Sequence, residues 1–263
     1  MKNSYETLIY HTVYGLKKDG ELSLKPLHVA SAAMNAALYA VFGYIFYFII
    51  PITTPGLGLV RFWPVVIIPA VFAVLFGPWV GGLGAAIGIF ISDMFIHGNP
   101  ILSLMAGVTS NFAMFFLIGY ITRRKFNWKI LTALFGLGSL IFIWISYVWL
   151  DFEVTMWFAG VIIMSYIALV IVVLLLPKWR SFEIASTVGL IVGSAIIGVT
   201  VWLFSQYFIM PGAADVVPLP AYASLTWLVW TFATEIPFLL VLGPPILEAC
   251  YRAFPSLVPQ SEE

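Results

Sequence analysis

Between Arg61 and Lys125 the chain reads RFWPVVIIPAVFAVLFGPWVGGLGAAIGIFISDMFIHGNPILSLMAGVTSNFAMFFLIGYITRRK. Three apolar runs are separated by Phe76-Gly-Pro78 with Gly81 and Gly82, and then by His97-Gly-Asn-Pro100. Gly and Pro in such clusters end helices and build tight turns. The stretch opens on a lone arginine and closes on the basic cluster Arg123, Arg124 and Lys125. About 20 apolar residues cross the ~30 Å hydrocarbon core of a bilayer as a helix. Three runs between two charged ends therefore predict three crossings, with Arg61 and the basic cluster on opposite sides.

The rest of the chain has the same character. It has 263 residues, 62% hydrophobic and only 9% charged, with mean hydropathy +1.04. An ordinary soluble domain carries about 25% charged residues, and so few charges could not cover this much apolar surface in water. The expected fold is an all-α, polytopic membrane bundle with lipid as its solvent. Formal net charge is zero, so nothing points to nucleic acid. Cys250 is the single cysteine, which excludes an internal disulfide and a cysteine-rich metal centre.

Eight transmembrane segments are expected, at about 28–50, 62–79, 81–97, 101–121, 129–150, 157–176, 184–209 and 223–250. Eleven of the twelve Lys and Arg then fall on one side, and only Arg61 falls on the other. By the positive-inside rule that side is cytoplasmic and both termini lie there. The opposite loops carry Asp151, Glu153 and Asp215. The expected organisation is a cytoplasmic N-terminal segment 1–27, a transmembrane domain 28–252 and a cytoplasmic tail 253–263. The N-terminal segment reads either as a short surface helix from Ser4 to Lys18 or as a plain polar tail.

Small residues recur every fourth position in the first segment, at Ala32, Ala36 and Ala40 and at Ala33 and Ala37. That spacing lets a second helix approach closely, inside the bundle or from a partner subunit. Gly84 with Gly88 and Gly189 with Gly193 repeat it.

Polar residues deep in apolar sequence are expensive and mark either fixed ion pairs or functional sites. Asp93 lies four residues before the end of its segment, level with Arg61, Trp63, His97 and Asn99. An Arg61–Asp93 pair would neutralise both charges, as a structural clasp or as part of an outward-facing pocket. Glu235 lies near the middle of the last segment with Pro237 close behind, which predicts a locally opened helix. Asn111 is similarly deep. The expected pocket-lining residues are Arg61, Trp63, Asp93, His97, Asn99, Asn111 and Glu235.

No His-Glu-x-x-His pair, Gly-x-Ser-x-Gly elbow or Walker loop is present, so no common enzyme signature supports catalysis. The three histidines, at 11, 28 and 97, are too scattered to share a metal. No cofactor is expected.

In order along the chain, the Ala-rich first segment with Ala36-Ala-Leu-Tyr-Ala40, Arg61-Phe-x-Pro64, Phe76-Gly-Pro78 with Gly81-Gly82, Asp93, and the closing segment with Glu235 and Gly243-Pro-Pro245 resemble the S components of energy-coupling factor transporters. These are the substrate-binding membrane subunits of micronutrient importers. The resemblance covers roughly 28–121 and 223–252. It implies a small vitamin-like substrate held at the outer side, under the loop from Pro51 to Arg61. It also implies a transmembrane coupling subunit that docks on Ala32, Ala33, Ala36, Ala37 and Ala40, and ATPases acting in trans. That family usually has six spans, so the fold implied is a six-helix core with an extra pair within 129–209. Lys2 stands where the nickel and cobalt branch carries a histidine, which argues against that branch. The alternative reading is an accessory or scaffold membrane protein that anchors a larger complex.

Overall fold

The computed structural model describes residues 26–52 and 60–257. The N-terminal segment up to Lys25, residues 53–59 of the outer loop and the tail from residue 258 lie outside the described residues, and so do the expectations placed on them. The described residues are all-helical. Seven helices are long and apolar enough to cross a membrane, and a shorter apolar one joins them. In chain order they are α1 (Pro26–Ile49), α2 (Pro64–Phe76, opening with a 3₁₀ turn), α3 (Pro78–Ile96), α4 (Pro100–Ile121), α5 (Trp128–Trp149), α6 (Phe152–Leu175), α7 (Arg180–Tyr207) and α8 (Tyr222–Ala253).

Each expected segment overlaps one of these helices, but several boundaries move. α6 starts at Phe152 rather than 157 and α7 at Arg180 rather than 184. The reason is physical: counting apolar residues misses first turns that carry charge. Glu153 and Glu183 sit in those turns, where the positive end of the helix dipole favours an acid. α8 runs unbroken through Pro237, Pro244 and Pro245. The predicted opening at Pro237 is therefore absent.

Local sequence sets the turns. Gly77 joins α2 to α3 alone, with φ +113°, a conformation that side chains disfavour. Pro78 then starts α3, where its missing N–H costs nothing. Asn99 caps α4 by accepting from the Leu102 N–H at 3.0 Å, and Asn127 caps α5 by accepting from Lys129 N–H at 3.1 Å. Arg123 ties α4 to α2: its guanidinium donates to the carbonyls of Ala73 (2.8 Å) and Val74 (2.7 Å) at the end of α2. The Ala73 carbonyl also accepts from the Gly77 N–H at 3.1 Å, and the Val74 carbonyl lies in the last turn, where helix carbonyls run out of intrahelical donors.

The core forms around α3. α1 crosses it where glycine removes the obstacle: a Cβ on Gly88 would lie 2.8 Å from the Ala36 carbonyl oxygen, and one on Gly84 would collide with Asn35. Asn35 is fully buried and donates to the carbonyls of Val80 (3.1 Å) and Gly81 (3.3 Å). On the far side α7 meets α4, with a Cβ at Gly189 falling 2.7 Å from the Met114 carbonyl oxygen. Both glycine motifs thus serve packing within the chain.

This packing divides the alanines expected to dock a partner. Ala36 and Ala40 are buried, at 4% and 6% exposed, because α3 occupies that face. Ala32 is half-buried, and Ala33 and Ala37 are exposed. The free face of α1 is therefore narrower than the full Ala-x-x-x-Ala set.

α5 packs mainly on α6, and α6 packs in turn on α7 and α8, with Leu169 and Val173 buried in the core. Leu140, Trp144, Trp157, Met164 and Leu175 are exposed along them, the surface of helices whose solvent is hydrocarbon.

Candidate functional site

α2 is 13 residues long and α3 is 19. At about 1.5 Å per residue α2 reaches roughly 20 Å against about 28 Å for α3. Starting together at the Gly77 turn, α2 stops about 9 Å short of its neighbour. The recess above it takes Arg61 and Trp63, which precede its first turn, and brings them level with the last turns of α3.

A cavity of about 90 Å³ lies there, between α3, α4, α7, α8 and the start of α2. Arg61, Trp63, Asp93, His97, Asn111 and Glu235 all line it. Six of the seven residues expected from sequence therefore converge, from four stretches far apart in the chain. Asn99 does not line it, because its side chain is spent on the α4 cap.

The mouth is ionic. Arg61 Nη2 donates to Asp93 Oδ1 at 2.5 Å, and Ser103 Oγ donates to Asp93 Oδ2 at 2.7 Å. His97 Nε2 lies 3.5 Å from the same carboxylate. The guanidinium also sits 4.8 Å from the Trp63 ring centre and 5.8 Å from that of Tyr47, cation–π distances that hold it without spending its donors. Asp93 is 3% exposed. Arg61 Nη1 is buried and has no hydrogen-bond partner among the described residues.

The wall is a fixed relay. Trp63 Nε1 donates to Tyr39 Oη (2.8 Å), and Tyr39 Oη donates to Asn111 Oδ1 (2.6 Å). Asn111 Nδ2 completes the chain by donating to the Gly107 carbonyl at 2.9 Å. An indole N–H can only donate and a hydroxyl can do both, so the relay has one direction and fixes the Asn111 amide. Ser103–Val108 form a π-helical turn in α4, the kind of local widening that often marks functional sites. Gly107 lies in it, so close that a Cβ there would sit 2.6 Å from Asp93 Oδ2.

Glu235 closes the deep end. It is 4% exposed, and its Oε2 has no hydrogen-bond partner among the described residues. It lies 13 residues into α8, about 20 Å along the axis, while Asn111 lies about 16 Å along α4 from the same end of the bundle. The cavity therefore holds a neutralised ion pair at one end and an unpartnered carboxylate oxygen at the other. A small polar molecule fits that arrangement: it can accept from Arg61 Nη1 and donate to Glu235. Among the described residues no three His, Cys, Asp or Glu come together as a metal site.

Sequence reasoning missed Tyr39 and Ser103 at this site. It also missed Glu183, which is fully buried in the first turn of α7 with neither carboxylate oxygen hydrogen-bonded among the described residues. Glu183 does not line the cavity. Compared with protein families, curated proteins and solved structures, the chain finds no match.

Proposed function

We propose that the chain is a substrate-capture subunit of a small-molecule importer in the cell membrane, built on the plan of the energy-coupling factor S components. The observation that carries this reading is a pair of polar atoms in one cavity, Arg61 Nη1 and Glu235 Oε2, that have no hydrogen-bond partner among the described residues. A folded protein rarely leaves buried polar groups unpaired without a reason, and a polar ligand would satisfy both. The substrate is then a small, vitamin-like molecule with an acceptor at one end and a donor or cation at the other. Mass spectrometry of small molecules that copurify with the detergent-extracted protein tests this. One polar compound at near-unit stoichiometry is expected, and recovery of none after extraction from substrate-fed cells would overturn it.

The charge distribution supports an orientation with both termini in the cytoplasm and the cavity near the outer face. A cysteine replacing Asp151 is then expected to react with an impermeant thiol reagent on intact cells, and one replacing Asn127 is not. The reverse pattern would invert the assignment.

A coupling subunit would dock on the exposed strip of α1 that carries Ala33 and Ala37, with ATPases acting through it. Ala37→Leu is expected to abolish association with that partner and leave thermal stability unchanged, since Ala37 faces outward. Ala36→Leu is expected to destabilise the fold itself by about 1–3 kcal/mol, the usual range for overpacking. Equal behaviour of the two variants in pull-down and melting would remove the docking face.

A further inference from the structure

We propose that the chain carries a second site, for an anionic phospholipid, between α5, α6, α7 and α8. A cavity of about 250 Å³ lies there, lined by residues including Phe135, Ser139, Phe142, Ile162, Thr187 and Phe232. It is nearly three times the volume of the polar cavity and almost wholly apolar. Only 6% of the α5 span is buried, so this wall is open to lipid along its length. The cavity sits on the other flank of α8, with Ile236 in its wall beside Glu235.

What identifies the occupant is the charge above it. The Arg180 guanidinium lies 4.3 Å from the Trp128 ring centre, and Lys129 Nζ lies 5.6 Å from the same ring. Arg180 Nε donates to the Val173 carbonyl at 2.8 Å, which ties the cluster to the end of α6. Neither cation has an acidic partner among the described residues, whereas neighbouring Lys178 is paired with Glu248. Glu183, one turn deeper, is sealed away and does not line this cavity.

Helical spacing stacks the two features. Phe135, Ser139 and Phe142 lie 7, 11 and 14 residues after Trp128, on its face of α5. Thr187 and Ile191 lie 7 and 11 residues after Arg180, on its face of α7. The cavity therefore begins about 10 Å below the cations along both helices. A phosphate held by Arg180 and Lys129 would send one hydrocarbon chain straight into it. A juxtamembrane cation pair over an apolar slot fits a lipid better than a soluble anion, which would leave the slot unfilled.

The test uses the full-length protein in mild detergent, mixed with dioleoyl-phosphatidylglycerol or dioleoyl-phosphatidylcholine, with retained lipid counted by native mass spectrometry. Preferential retention of the anionic lipid is expected. Arg180→Gln and Lys129→Gln are each expected to weaken it about fivefold, the factor for one cation at the membrane surface. Arg180→Lys, which keeps the charge, should retain most of it. Gly138→Phe fills the cavity from a position where a Cβ meets nothing within 4 Å, so the fold should survive while lipid is lost. Equal retention of the two lipids, or undiminished phosphatidylglycerol binding by Gly138→Phe, would overturn the proposal. Should a glutamine variant fail to fold, Gly138→Phe and Arg180→Lys decide it. None of these outcomes depends on the transport reading.

Discussion

Arg61→Met is expected to lower the stability of the protein by about 3–5 kcal/mol, the cost of breaking a buried pair and stranding the remaining charge. In a chain of this size that corresponds to a fall in melting temperature of roughly 10 °C or more. Asp93 is 3% exposed and has Arg61, Ser103 and, at longer range, His97 around it. Without the guanidinium, one hydroxyl would remain as its close partner. Asp93→Asn should be milder, because the amide oxygen still accepts from Arg61 and the amide NH2 can donate to the Ser103 hydroxyl instead. The double variant Arg61→Met, Asp93→Leu should recover much of the loss, since an apolar replacement of both partners leaves no orphan charge. Thermal unfolding in detergent, followed by intrinsic fluorescence, measures all three. A single Arg61→Met variant that melts within about 2 °C of wild type would show that the pair is solvated and contributes little.

That pair was legible in the sequence for a specific reason. Arg61 is the one basic residue on the acidic side of the charge pattern, and Asp93 is the one acid inside the third expected segment, 81–97. Two isolated, opposite charges on consecutive antiparallel helices have few other places to go. Trp63, His97, Asn111 and Glu235 follow by depth along the helices, which a rise of about 1.5 Å per residue makes nearly countable. Asn99 misled because the same residue type is also the best helix cap, and Pro100 after it was the signal.

Tyr39 was hidden inside the alanine run, where small residues drew attention to close packing. The missed cue was a tyrosine far from either interface, whose hydroxyl must find a partner when buried. The division of the alanines was not legible at all. A sequence shows that a face is small, but only the fold shows which half of it α3 has already taken. Helix type was recovered because hydropathy dictates it, and seven of the eight expected segments are long and apolar enough to cross a membrane; the first turns of α6 and α7 were lost because charged residues belong to helices too.

Glu235→Gln carries the largest functional effect. Glutamine keeps the shape and can accept and donate, but it carries no charge. Hydrogen bonds to a charged group contribute about 1.5–3 kcal/mol, so retention of the copurifying ligand should fall roughly 10- to 100-fold. Stability should hardly change, because Oε2 has no partner among the described residues to lose. The opposite reading is a buried glutamate that serves only as a hydrogen-bonding group in the wall. Glutamine reproduces that role, so ligand retention would be unchanged. Glu235→Leu separates the two further. In a ligand site it removes binding and relieves an orphaned polar atom, so melting temperature should hold or rise. In a structural role it breaks a needed bond, and melting temperature should fall. Asn111→Leu supplies the control at the same depth: it severs the relay from Trp63 through Tyr39 to Gly107 and should cost stability whatever Glu235 does. Ligand binding that survives Glu235→Gln intact, with melting lowered by Glu235→Leu, would end the case for Glu235 as the deep anchor of a transported molecule.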